Sequence, residues 1–301
     1  MSEQQVRLDV KTALAVAALL LLWGSAFAAI RQGLAAFPPG ELALLRFLVA
    51  SLVLAGLTAR RAPRPHRGDL PLIAGLGVLG ITVYHLALNY GEVTVTAGAA
   101  SLLIASAPLF TALLAAPALG ERLAPGQWVG VAVGFCGVAL ITLGEGKAFT
   151  FEPRALVILA ASLSASAYSV LQKRFVRRYP PLVFTAYVIW AGTLPMLVFL
   201  PGLISALRAA PWEAVAAVVY LGVFPGAVAY ALWVYGLSRL SASRLSSFLY
   251  LNPVVAIGIA WLWLGEVPSW LSLVGGLVAI CGVGLANLRR GRRPRPGMPR
   301  A

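Results

Sequence analysis

Ten apolar runs, each about as long as a bilayer is thick, leave this chain few folds to choose from. They fall at about 12–31, 41–59, 70–90, 96–117, 126–144, 154–173, 181–203, 212–236, 244–264 and 269–288. A helix needs ~20 mostly apolar residues to cross the hydrocarbon core, so ten spans would use roughly two thirds of the chain. The runs lack the alternation of strands and are too long for them, so they read as helices. Proline, glycine and charge mark the breaks: Phe37-Pro38-Pro39-Gly40, residues 60–68, residues 144–153, Tyr179-Pro180-Pro181 and residues 237–243. The chain is 60% hydrophobic and only 11% charged, too few charges for the surface of a soluble domain this size. The expectation is an all-α integral membrane protein with short connectors and no room for a soluble catalytic domain.

The formal charge of +14 raises nucleic acid as a partner, and the positions of the charges exclude it. Arg60, Arg61, Arg64 and Arg67 fill one connector, and Lys173, Arg174, Arg177 and Arg178 another. Arg289, Arg290, Arg292, Arg293, Arg295 and Arg300 fill the C-terminal tail. Each cluster abuts an apolar run, as topology-setting charges do. With both termini in the cytoplasm, nineteen Lys/Arg fall inside and four outside (Arg31, Lys147, Arg154 and Arg208), while Arg46 lies within a span. That asymmetry predicts both termini cytoplasmic and an even helix count, in the inner cell membrane. Ala26-Phe27-Ala28 resembles a signal-peptidase site, but cleavage there would leave nine helices and destroy the repeat described next. Cys136 and Cys281 have neither disulfide nor metal-ligand spacing and read as small packing residues.

Shifted by 145 residues, 76–141 aligns without gaps on 221–286, with 20 of 66 positions identical. The matches include Tyr90/Tyr235, Ser101/Ser246, Pro108/Pro253, Glu121/Glu266 and Cys136/Cys281. A shift of 141 pairs Ser25-Ala26 with Ser166-Ala167 and Pro39 with Pro180, extending the repeat toward the first helix of each half. The halves, 1–148 and 149–301, would each hold five helices. An odd number places the second repeat upside-down relative to the first, an arrangement that gives transporters two interconvertible conformations.

These residues resemble the EamA branch of the drug/metabolite transporter superfamily over nearly the whole chain. The resemblance rests on Trp23-Gly24-Ser25-Ala26-Phe27, Leu44-Leu45-Arg46-Phe47, Ala107-Pro108-Leu109-Phe110-Thr111 and Gly120-Glu121-Arg122-Leu123, with Asn252-Pro253 and Leu264-Gly265-Glu266 repeating it in the second half. It implies ten helices, a central substrate cavity, and export of amino acids or related metabolites, and it leaves the substrate open.

Pro108 and Pro253 lie mid-helix, where each removes an N–H and displaces the carbonyl four residues earlier. Freed backbone at that depth needs protein or a water-filled cavity beside it, so both are read as cavity-lining bends. The face Gly98, Ser101, Ala105, Pro108 and its counterpart Ser243, Ser246, Tyr250, Pro253 are small or hydroxyl-bearing, suited to a cavity or to tight packing. Tyr250 and Asn252 need partners in lipid and are the stronger site candidates. Tyr84, His85 and Asn89, with Thr82, mark the third helix, because a membrane histidine is a functional candidate by default. Tyr168 in the sixth helix and Trp190 in the seventh complete the substrate-binding set. Arg46 reads as snorkelling or paired with Glu41 or another loop acid, and the small-residue ladders Gly126, Gly130, Gly134 and Gly275, Ala279 read as packing faces.

No Asp or Glu is placed inside a span, leaving His85 as the one intramembrane group able to titrate near neutrality. The remaining hydroxyl, amide, imidazole and aromatic chemistry suits neutral or zwitterionic metabolites, amino acids by the resemblance and aromatic ones among them, with a broad drug/metabolite exporter as the alternative. An intramembrane enzyme would need a nucleophile and base together, and no such motif joins His85. No cofactor is implied. The expected partners are a small-molecule substrate and the lipid bilayer, and a monomer satisfies every feature of the sequence.

Overall fold

The computed structural model describes residues 9–59, 65–119, 125–145, 152–172, 178–240, 245 and 248–287. The helical segments are α1 Val10–Leu34, α2 Pro39–Thr58, α3 Arg67–Glu92, α4a Ala97–Ile104, α4b Ala107–Leu119, α5 Pro125–Glu145 and α6 Pro153–Leu171. They continue as α7 Pro181–Ala209, α8 Trp212–Arg239, α9 Leu249–Leu264 and α10 Trp270–Asn287. Among the described residues there is no strand, and seven helices are long and apolar enough to cross a membrane: α1, α2, α3, α5, α6, α7 and α8. Three shorter apolar helices accompany them, at Ala97–Thr111, Leu249–Leu264 and Trp270–Leu285.

The punctuation seen in the sequence sets the helix ends. α2, α5, α6 and α7 each begin at a proline, whose missing N–H costs nothing in a first turn. Asp9 caps α1 by accepting from the Thr12 N–H at 2.8 Å, and hydrogen bonding from the Thr12 side chain, then from its backbone, holds the carboxyl below the usual aspartate range. α9 ends at Gly265, whose φ of 68° is a left-handed conformation open to glycine.

Packing partners exchange when the two halves are exchanged. α1 packs on α9 as α6 packs on α4b, α3 on α6 as α8 on α1, and α2 on α8 as α7 on α3. The pairs α2–α7, α4a–α9 and α5–α10 map onto themselves. The local irregularities repeat as well. α3 carries a π-helical turn at Val78–Val83, and α8 carries one at Phe224–Val228, which is 79–83 advanced by 145. α4 loosens at residues 105–106, and α9 opens with a 3₁₀ turn at Leu249–Leu251, both just ahead of the repeated proline.

Side chains from neighbouring helices meet carbonyls at these irregular turns. Ser164 donates to Leu79 O at 2.7 Å, Trp23 Nε1 to Pro225 O at 3.3 Å, and Ser166 to Ala107 O at 2.8 Å. Such substitution is what permits broken helices within a bilayer. Close contacts run along small residues. A Cβ on Gly137 would strike the Ala279 backbone, and one on Gly282 the Gly134 backbone, so α5 and α10 touch main chain to main chain. Gly134 and Gly275 serve this ladder as expected, whereas Gly126 faces open space. Cys136 and Cys281 are exposed on the outer surface, not packed. Outward residues such as Leu21, Leu52, Val198, Leu262 and Trp270 are large and apolar, as a lipid-facing surface requires.

Candidate functional site

A cavity of about 450 Å³ lies between α1, α2, α3, α4, α6, α8 and α9. Its wall is built largely from repeat-related positions. Six pairs separated by 145 residues both face it: Gly80/Pro225, His85/Tyr230, Ile104/Leu249, Ala105/Tyr250, Ala107/Asn252 and Pro108/Pro253. Phe27 and Tyr168, 141 apart, make a seventh. Positions match across the pseudo-symmetry, but chemistry does not: tyrosine and asparagine in one half face alanine in the other.

Of the sequence candidates, Tyr84, His85, Ser101, Pro108, Tyr168, Tyr250, Asn252 and Pro253 line this cavity. His85 is 5% exposed, with its ring 4.5 Å from those of both Phe47 and Tyr84, and its Nδ1 has no hydrogen-bond partner. Asn252 Oδ1 is also buried without one. The Ser101 hydroxyl is occupied by Gly98 O at 2.6 Å. Tyr168 lies flat on Gly80, where any side chain would meet its ring.

Two candidates lie elsewhere. Asn89 is fully buried and donates to Pro39 O at 3.0 Å, tying α3 to the first turn of α2. Trp190 donates to Ser51 O at 3.2 Å and stacks near Tyr187, joining α7 to α2. The regular face drawn through Thr82, His85 and Asn89 therefore points mainly at neighbouring helices, since Thr82 is bonded to Gly192 O on α7. Ser243 and Ser246 lie outside the described residues, as do Gly120 and Glu121.

Of the wall residues outside the candidate set, four carry aromatic or charged side chains: Trp23, Phe27, Arg46 and Tyr230. Tyr230 was reachable, because the 145-residue shift carries His85 onto it. Arg46 neither snorkels nor pairs with Glu41. It is 5% exposed, its Nε and Nη1 are buried with no hydrogen-bond partner, and its guanidinium lies 5.3 Å from the Phe47 ring centre. A basic group thus faces the cavity, contrary to the sequence reading. The acids of the described residues keep to helix ends, as expected, but two of them, Asp69 and Glu92, are buried. Glu92, taken as a helix-end acid, is fully buried with neither carboxylate oxygen hydrogen-bonded.

Two polar clasps flank the site. Arg31 donates to Glu266 at 2.9 and 2.7 Å and to Glu92 O at 2.6 Å, while Glu266 accepts from Ala97 N at 3.2 Å. Glu145 adds bonds to Thr96 and Ser272, so α1, α4a, α5 and α10 are laced together at this end. At the other clasp, Asp69 accepts from Arg178 and from the Tyr179 hydroxyl, each at 2.6 Å, joining the starts of α3 and α7. Burial, and then the bond to Asp69, hold the Tyr179 phenol above the ordinary tyrosine range.

Apolar spanning helices, side chains meeting the carbonyls of irregular turns, and a central cavity whose mostly apolar wall carries a few polar groups define a multi-pass membrane protein built around a small-molecule compartment. The chain belongs to the EamA-like transporter family, whose profile matches twice, over residues 10–143 and 153–288. It is 43% identical to the uncharacterized transporter YdfC of Bacillus subtilis, across 89% of this chain and 88% of that one. It is 44% identical to a protein of Streptantibioticus cattleyicolor described as a "Probable terminal-alkyne amino-acid exporter", across 96% and 98% respectively. The inner membrane transporter YedA of Escherichia coli is 32% identical over 86% of each chain. One solved structure, 24% identical, superposes with a TM-score of 0.59 over 92% of this chain and 96% of its own, a likeness of fold. The protein is therefore a transporter of the inner membrane.

Proposed function

We propose that the protein exports small neutral or zwitterionic metabolites, amino acids foremost, by alternating access through the central cavity. The observation that carries this reading is the cavity itself, set between helices of both halves and walled largely by repeat-related pairs. A site on the pseudo-symmetry axis is reached equally from either side when the halves exchange conformations. The reading includes ten crossings, two inverted five-helix repeats at 1–148 and 149–301, and both termini in the cytoplasm. The exchange of packing partners and the paired π turns support the repeats, and the Lys/Arg asymmetry supports the orientation. The wall offers hydroxyl, amide, imidazole and aromatic groups together with the Arg46 guanidinium, and nothing in it resembles a nucleophile with its base, so transport without chemistry is the reading. The Streptantibioticus relative adds weight to amino acids as cargo.

The test is counterflow in proteoliposomes preloaded with unlabelled amino acid, across a labelled panel of aliphatic, aromatic and polar members. Uptake of at least one member above protein-free vesicles is expected. A flat panel, with flux instead of lipophilic amine drugs, would replace amino-acid export by a broad drug exporter.

A further inference from the structure

Among the described residues two charged side chains, Arg46 and Glu92, have buried atoms with no hydrogen-bond partner, and of the two only Arg46 lines the central cavity. It sits in α2, 5% exposed, on the wall of the central cavity, with two guanidinium nitrogens buried and unpartnered. A cation so placed is costly unless a counter-charge meets it at some stage of the working cycle. The acid whose field reaches it, the buried Glu92, neither hydrogen-bonds to it nor lines the cavity, and among the described residues Arg46 takes part in no ion pair. What holds the group is aromatic. Phe47 has its ring centre 5.3 Å from the guanidinium carbon and in turn meets the His85 ring at a tilt of 57°, and the His85 Nδ1 is also without a partner. Contact with a ring face uses no N–H donor, so the planar donor fork is left for a ligand.

We propose that Arg46 is the carboxylate receptor of this cavity, so that the protein selects substrates bearing one carboxylate and rejects amines that lack it. The inference rests on the export reading above and narrows its cargo. A guanidinium pairs with a carboxylate through two parallel bonds, and one monoanion balances one cation in a water-poor site. A phosphate ester would bring a second charge, and no other Lys or Arg among the described residues lines the wall to meet it. The unpartnered Asn252 Oδ1 supplies an acceptor for a substrate amino group on the same wall, and Trp23 and Phe27 supply apolar surface for its side chain.

The experiment measures ligand-induced thermal stabilisation of the purified full-length protein, independent of flux. Three series are used, built on alanine, leucine and phenylalanine. Each compares the amino acid, its desamino carboxylate, its decarboxylated amine and its carboxamide, with glycerol 3-phosphate as a separate probe. In at least one series the two carboxylates should bind and the amine and carboxamide should bind at least about tenfold more weakly. Arg46→Lys, which keeps the charge but loses the fork, should weaken the carboxylates by about tenfold, and Arg46→Gln should abolish the preference. The comparison in wild type needs no variant, so misfolding of the Arg46 variants leaves the proposal testable. Equal binding of amine and carboxylate, no binding in any series, tighter binding of the phosphate ester, or a folded Arg46→Gln with wild-type preference would each overturn it. Carboxylate-selective binding without counterflow would sink the export reading and leave the receptor standing.

Discussion

At the scale of single residues, the working surface of the cavity is set by contacts that a helix wheel does not display. Gly80 is an example: a Cβ built there would sit 2.6 Å from the Tyr168 ring, so the α3 backbone and the tyrosine share one space. Gly80→Ala must displace that ring and reshape the wall. The expected outcome is a loss of counterflow of about tenfold, or ~1.4 kcal/mol, with the melting temperature largely kept. Gly75→Ala, on the same helix but facing open space, is the control and should transport as wild type. Equal flux in the two variants would remove Tyr168 from the working wall. His85 and Tyr84 were legible as candidates because polar rings are rare in an apolar run. Arg46 was not, because six residues from a helix end is short enough for a long side chain to reach water. Only the packing of α2 against its neighbours shows that it turns inward.

At the scale of elements, the irregular turns around the cavity recur at corresponding places in the two halves, whereas the 3₁₀ segment at Leu197–Phe199 of α7 has no counterpart in α2. Pro108 follows the loosened turn at 105–106 and Pro253 follows the 3₁₀ turn at Leu249–Leu251, and both prolines line the cavity. Proline withholds its N–H, so these turns are held open and need less rearrangement to bend. Pro108→Ala and Pro253→Ala should restore helical hydrogen bonds, leave expression and melting temperature unchanged or higher, and slow counterflow severalfold. Flux from both variants at the wild-type rate would reduce the bends to packing. The prolines announced the irregular turns in the sequence. The π turn of α8 holds Pro225, but that of α3 had no comparable signal, because nothing in Val78–Val83 marks the extra residue in the turn.

At the scale of the whole molecule, the proposed orientation can be tested without any knowledge of substrate. Single cysteines replace residues in a background with Cys136 and Cys281 changed to alanine, two outward-facing sites that should tolerate it. At positions 64, 177 and 295, which lie outside the described residues, intact cells should protect them from an impermeant thiol reagent. Position 147, also outside them, should react. Labelling at 64 or 177 in intact cells would invert the topology, and protection at 147 would break the alternation of connectors on which the inverted repeat depends.

What the sequence determined by itself is one-dimensional: which segments are apolar enough for a bilayer, where proline and charge interrupt them, and that the second half restates the first. Those properties survive any packing, because hydrocarbon thickness and charge solvation act on each segment alone. What the tertiary structure decided is direction. In a membrane the lipid-facing and protein-facing sides of a helix are both apolar, so the periodicity that orients a helix in water is nearly absent. Asn89 and Trp190 turned to helix–helix bonds, Cys136 and Cys281 turned outward, Glu92 was enclosed, and Arg46 entered the cavity. Each of those outcomes depends on which neighbour offers a carbonyl, a ring or a gap, and that is known only once the helices are packed.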